Sequence, residues 1–405
     1  MQISHRATAI QESPIRKLAP LASAARERGL AIYNLNIGQP DVPTPPEFLR
    51  AVAGFRDPVL AYGPSDGLPE LRQAMCEYFA RYEIALDPAE VLITNGGSEA
   101  ILFAFNVVAD EGEEIIIPEP FYTNYNGYAA MANLRIVPVR ARAEDGFHLP
   151  PDEALEAAVG QRTRAVLICS PNNPTGTVLG WEELERLAAF ARRHDLFLIA
   201  DEVYKEFTYD GRRHRSVLEL PDVRERVIVV DSVSKRFSAC GARVGAVISR
   251  NREVMASVLK FGQARLCPPT LEQLGAIAAY RLDESYFDAV RADYQRRRDV
   301  MFETLTADPG IVLRRPRGAF YMIVKIEGVA DSDDFAAWLL TDHQVDGETV
   351  LVAPAGGFYA TPGLGRDEIR IAYVLEPAKL ERAGRVLLEG LARYRALRPA
   401  AARAV

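Results

Sequence analysis

Seven short apolar runs constrain this chain more than any other feature: VLIT (91–94), EIIIP (114–118), LRIVPV (134–139), RAVLICS (164–170), LFLIAD (196–201), RVIVVDS (226–232) and GAVIS (245–249). Each is too short for a buried helix, rich in β-branched residues and bounded by polar or turn residues, so each reads as a buried strand. Helical segments fall between several of them, at Ser98 to Val108, Asp152 to Val159 and Trp181 to His194. Strands alternating with helices give an α/β domain whose mostly parallel, seven-stranded sheet is flanked by helices. Open sheets of this kind bind ligands at the carboxyl ends of their strands, so polar residues placed there carry most information.

Beyond about residue 283 the texture changes. A long charged helix (Ser285 to Thr304) precedes apolar runs at 311–313 and 319–324, a helix at Asp333–Thr341, a strand near Ile369–Val374 and a final helix at Pro377–Tyr394. This pattern reads as a smaller α+β domain. A chain of 405 residues exceeds what one core usually organises. The expected division is a large domain over residues 46–285, with residues 1–45 as an N-terminal arm and 286–405 as the small domain. The arm, with NLNIGQPDVPTPPEF, is too short and Pro-rich to fold alone.

Composition excludes several classes. With 48 basic against 55 acidic side chains, the formal net charge of −7 offers no field to concentrate nucleic acid or an anionic membrane surface. No window approaches 18 uninterrupted apolar residues, and the N-terminus has no apolar signal region. The four cysteines (76, 169, 240 and 267) form no Cys-x-x-Cys pair and read as reduced thiols, which suggests a cytoplasmic setting. The five histidines lack ligand spacing, so no metal site is expected.

Four motifs follow strands. In SVSKRFSACGARVG (232–245), Lys235 sits among small residues, and Ser232, Ser234 and Arg243 supply hydroxyls and a guanidinium suited to a phosphate. In LIADEVYKEF, Asp201 ends a strand and Tyr204 follows; a helix cap is the plain alternative for the carboxylate. SPNNPTG (170–176) is a turn on its dipeptides alone, and it carries Asn173. TNGGSEA (94–100) opens a helix whose first N–H groups, with Gly97 and Ser98, can hold a phosphate. Neither a Walker loop nor a Gly-x-Gly-x-x-Gly fingerprint is present.

These motifs together, in this order and from Asn34 to Ala372, resemble the class I/II (aspartate-type) aminotransferases, enzymes of fold type I dependent on pyridoxal 5'-phosphate (PLP). The resemblance implies that Lys235 holds PLP as a Schiff base and then shuttles the substrate proton. Asp201 would pair with the pyridine nitrogen, while Asn173 and Tyr204 bond the ring oxygen. Tyr122, in PEPFYTNY, would stack on the ring, and Gly97, Ser98, Ser232 and Arg243 would hold the phosphate. Tyr62, in AYGPSDGLPELR, would reach the phosphate of a neighbouring subunit, which implies a homodimer with shared active sites. Arg370, in DEIRIAY, would clamp the substrate α-carboxylate, with a backbone contact from Gly38 in NIGQPD.

The implied reaction moves the amino group of an L-amino acid to a 2-oxo acid by ping-pong kinetics. Aspartate or glutamate needs a cation for its distal carboxylate. Aspartate-specific branches of the family use a partner-donated arginine or a lysine in the large domain. Counting back from Pro268-Pro269 reaches Gly262, and Asn95 and Glu99, not lysine, flank the GGS turn. Arg265 stands near the expected place and either serves there or braces the dimer interface or phosphate. Aspartate and glutamate are the favoured substrates. A broad aromatic/aliphatic aminotransferase and a PLP-dependent carbon–sulfur lyase are the alternatives. A DNA-binding regulator is disfavoured because only 33 residues precede NLNIG.

Overall fold

A computed structural model of the chain describes residues 1–11 and 13–398. Its thirteen strands are β1 (Ala31–Asn34), β2 (Val91–Asn95), β3 (Glu114–Glu119), β4 (Arg135–Arg140), β5 (Thr163–Cys169), β6 (Phe197–Asp201), β7 (Val227–Ser232), β8 (Val244–Ile248), β9 (Ile311–Val312), β10 (Tyr321–Ile326), β11 (Glu348–Leu351), β12 (Ala353–Pro354) and β13 (Glu368–Ala372). All seven apolar runs are strands of one sheet, in the order β2-β8-β7-β6-β5-β3-β4. β8 runs antiparallel to both neighbours, and the other pairs are parallel. The fold is α/β, as the alternation of runs requires.

Period-two alternation sorts this sheet into two buried faces. Ile115, Ile117, Leu167, Ile199, Val230 and Val247 pack with the helix Gly96–Val108 on one side. Ile116, Val166, Ile168, Leu198, Val229 and Ile248 pack on the other with the helices Pro69–Ala80 and Trp181–Arg193. Each such side chain contributes about 1.5–3 kcal/mol of transfer free energy. Burial on both faces is why these strands read as continuous apolar runs.

A second core joins β10, β11 and β13 to the helices Glu284–Leu305, Ser332–Thr341 and Pro377–Leu397. Its four-stranded sheet has the order β12-β13-β10-β9. The arm packs on this second core through Leu18, Ala22 and Leu35, and β1 pairs in parallel with β11, Ala31 opposite Glu348 through Asn34 opposite Leu351. No helix among the described residues is long and apolar enough to cross a membrane.

Candidate active site

The carboxyl ends of β5, β6 and β7 open into a cavity of about 470 Å³, within the range of small-molecule sites. Twelve residues singled out from the sequence line it: Gly38, Gly97, Ser98, Tyr122, Asn173, Asp201, Tyr204, Ser232, Ser234, Lys235, Arg243 and Arg370. They come from the arm, the large sheet and β13, so distant segments converge on one space.

Lys235 lies in the short helix Val233–Arg236 directly after β7. Ser232 starts that helix, its Oγ accepting from the Ser234 N–H at 3.1 Å. The Lys235 ammonium donates to the Gly38 carbonyl at 3.0 Å. Tyr204 shares a hydrogen bond with Tyr321 through their hydroxyls at 2.9 Å. Gly38 is required on the opposite wall, because an added Cβ would lie 1.7 Å from the Tyr321 hydroxyl.

Asp201 ends β6 and is 4 % exposed. Its carboxylate accepts from the Tyr125 hydroxyl at 2.8 Å and from the Val203 N–H at 3.3 Å. Burial pushes its pKa up to about 6, with the Tyr125 hydrogen bond opposing the rise.

At one end of the cavity a cradle forms where Gly96, at φ +75°, begins the helix Gly96–Val108. The Glu99 carboxylate reaches back to accept from the Asn95 N–H at 2.8 Å, fixing the turn. Ser232 Oγ stands 2.8 Å from Ser234 Oγ. The Arg243 guanidinium lies across Gly96, where a Cβ would meet its Nη2 at 2.5 Å. Helix N-terminus, hydroxyls and guanidinium together make an anion site.

Arg370, on β13, is 1 % exposed. Its Nη1 donates to Asn173 Oδ1 at 3.1 Å, and its Nη2 to the Asn36 carbonyl. Its Nε has no partner among the described residues. A buried guanidinium with donor capacity unspent suits a ligand carboxylate.

Two expected residues lie elsewhere. Tyr62 is 80 % exposed and does not line this cavity. Arg265 does not line it either. Its Nη2 donates to the Ser65 and Ile93 carbonyls at 3.3 and 3.1 Å, and its Nε lies 3.3 Å from Glu99 Oε2. Those acceptors hold the side chain beside β2, and its Nη1 has no partner among the described residues.

The family model for "Aminotransferase class I and II" matches residues 31–387. The chain belongs to the class I and II aminotransferases. This aminotransferase is 34% identical over 390 residues to the aspartate aminotransferase of Pyrococcus abyssi, covering 95% of this chain and 96% of that one. It is 33% identical over 390 residues to the aromatic-amino-acid aminotransferase 2 of Thermococcus litoralis, with the same coverage of 95% and 96%. The solved structure of the Thermus thermophilus aspartate aminotransferase with maleate superposes with TM-score 0.86 at 30% identity, over 96% of this chain and 100% of that one.

Aminotransferases of this family depend on PLP, and PLP is the cofactor expected here. The cavity fits it: an anion cradle, the aromatic Tyr122, a buried acid and an amine share one space. No motif singles out Tyr125, Tyr321 and Asn36, which orient Asp201, Tyr204 and Arg370. Tyr125 lies three residues beyond Tyr122 in the same motif, but only the fold brings it to Asp201.

Proposed function

We propose that this aminotransferase accepts a dicarboxylic amino acid, aspartate or glutamate, and passes its amino group to a 2-oxo acid. The observation that carries the site roles is the single cavity shared by Lys235, Asp201, the anion cradle and Arg370. Support for the substrate class is the likeness to aspartate aminotransferases over nearly the whole chain.

When bound, PLP supplies an electrophilic carbonyl and a ring that delocalises negative charge from the substrate's Cα. Lys235 is the covalent anchor, and once freed its amine carries the proton to and from Cα. Asp201 keeps the ring nitrogen protonated; an adjacent cation favours its ionised form against the burial that raises its pKa. Tyr204 and Asn173 orient the ring oxygen, and Tyr122 covers the ring. Gly97, Ser98, Ser232 and Arg243 grip the phosphate. Arg370 holds the α-carboxylate beside Asn173, with Gly38 closing that wall. One site then serves both half-reactions, which gives ping-pong kinetics.

The proposal extends to assembly. Residues 46–285 are assigned to a large domain and 1–45 with 286–405 to the N-terminal arm and small domain, residues 12 and 399–405 lying outside those described. Exposed Tyr62 reaches the phosphate of a second copy in a cytoplasmic homodimer, where Arg265 braces the interface region. A second reading, a broad aromatic or aliphatic specificity, is favoured by Ile15, Ile37, Ile101 and Tyr128 in the cavity wall.

The test is spectroscopic. Single amino acids are added to the PLP-loaded protein without a 2-oxo acid. Loss of the near-visible band to a shorter wavelength with aspartate or glutamate is expected, as is absence of that band in Lys235→Ala. Response only to aromatic or aliphatic amino acids moves the enzyme to the second reading. Pyruvate and ammonia without the shorter-wavelength form would mean a lyase.

A further inference from the structure

Four cationic side chains line the cavity (Arg16, Lys235, Arg243 and Arg370) against one carboxylate, Asp201. The roles above use every one except Arg16. With the phosphate matched to Arg243 and the α-carboxylate to Arg370, Arg16 is the lining guanidinium to which no anion is assigned.

Arg16 belongs to the N-terminal arm, where the Ser13 carbonyl accepts from the N–H groups of Arg16 and Lys17 at 3.0 and 3.2 Å. The arm is fastened on both sides of it. Pro14 is buried against Gly357, where an added Cβ would lie 2.3 Å from the proline Cβ. Ile15 packs on Ile323, Ala353, Ala355 and Phe358, and its carbonyl accepts from Asn36 Nδ2 at 3.1 Å. Beyond Arg16, Lys17 pairs with Asp333, and Leu18 is buried in the second core. Asn36 thus ties the arm to the same short stretch whose carbonyl orients Arg370.

This anchoring holds Arg16 and Ser13 at the cavity wall, with Asn124 and Tyr128 also lining it. Among the described residues the Arg16 side chain makes no hydrogen bond or ion pair, whereas that of Arg243 donates to Cys240 and that of Arg370 to Asn173 and Asn36. Arg16 is exposed at the mouth of a ligand cavity, and a guanidinium without an acceptor there has its fork of donors available to the ligand.

We propose that Arg16, assisted by the Ser13 hydroxyl, binds the distal carboxylate of a dicarboxylic substrate and sets the specificity of this enzyme. The inference rests on the dicarboxylate reading above. It assigns that role to a residue of the arm rather than to Arg265, which does not line the cavity and donates through Nη2 to the Ser65 and Ile93 carbonyls.

The experiment compares wild type, Arg16→Gln and Arg16→Lys as PLP-loaded enzymes. The kcat/KM values for aspartate, glutamate and phenylalanine are measured, together with calorimetric binding of maleate, a dicarboxylate with no amine to react. A charged hydrogen bond lost at a partly exposed site lowers affinity roughly 10- to 100-fold. Arg16→Gln is expected to lose about that factor for aspartate, glutamate and maleate, with phenylalanine nearly unchanged and Arg16→Lys intermediate. Equal losses for phenylalanine would overturn the assignment in favour of a structural or cofactor-binding role. Unchanged dicarboxylate kinetics in Arg16→Gln, with wild type active on them, would sink Arg16 alone. Wild type that neither turns over aspartate or glutamate nor binds maleate would sink the dicarboxylate reading, and Arg16's role with it.

Discussion

Asp201 illustrates how one side chain is tuned by its replacements for water. The carboxylate accepts a phenol hydroxyl and one backbone N–H, fewer partners than a solvated carboxylate has, so burial prevails and the pKa rises to about 6. In the cofactor-free protein the folded state therefore holds this proton more tightly than the unfolded chain, whose value is about 3.9. The resulting stability is fully present below about pH 4 and is lost as pH rises through about 6. Tyr125→Phe removes a hydrogen bond that favours the ionised form. The acidic limb of PLP binding, measured by fluorescence titration across pH, is expected to move upward, with affinity near pH 7 weakened about tenfold. An unmoved limb would mean that Tyr125 does not tune Asp201.

At the scale of elements, the anion cradle depends on two glycines where β2 and β8 meet the helix Gly96–Val108. A Cβ on Gly245 would lie 2.5 Å from the Gly96 carbonyl carbon, so the two backbones approach as only glycine permits. At Gly96 the φ of +75° adds strain for any other residue, and the Arg243 guanidinium occupies the space a Cβ would need. Gly96→Ala is expected to cost about 1 kcal/mol of cofactor-free stability in urea unfolding, from the left-handed backbone. It should also weaken PLP binding by displacing Arg243, whose flexible end can move. Loss of stability with unchanged PLP affinity would show that Arg243 is not part of the cradle. The strands themselves were legible because burial on both faces writes them as apolar runs. Strand direction was not: Val244–Ile248 reads alike in either sense, and its antiparallel pairing with β7 depends on how the chain turns through Lys235. Nor was the pairing of β1 with β11, whose four-residue strands lie far apart in sequence. At the site, residues at strand ends announced themselves by motif, whereas Tyr125, Tyr321 and Arg16 are ordinary residues made significant by distant contacts. Arg265 shows the converse: its place in the sequence is suggestive, but nearby carbonyls and Glu99 hold its side chain outside this chain's cavity.

The whole molecule contains a second group of buried charges, away from the cavity, joining the large sheet to the helix Glu284–Leu305. Arg236 pairs with Asp231 in complete burial, and Glu206 lies 3.0 Å from Arg291 on that helix. Tyr82 donates to Glu206 at 2.7 Å, and Tyr78 donates to the same oxygen. Beside them Lys205 stands with its ammonium 3.5 Å from the Phe79 ring centroid and 4.3 Å from that of Tyr78. Burial pushes Glu206 up to about 7 and Lys205 down to about 7. The two act in different windows. The contribution of Glu206 is present below its unfolded value near 4.3 and is lost as pH rises through about 7. That of Lys205 is present above its unfolded value near 10.4 and is lost as pH falls through about 7. Lys205→Met keeps the apolar stem against the rings and removes the buried ammonium, at the loss of a cation–π contact. The variant is therefore expected to be more stable by about 2 kcal/mol at pH 6, with the gain fading toward pH 10, where wild-type lysine is already neutral when folded. Urea unfolding at several pH values checks this. A gain independent of pH would assign the effect to packing, and a loss at pH 6 would mean that the aromatic faces stabilise the ammonium by more than its burial costs.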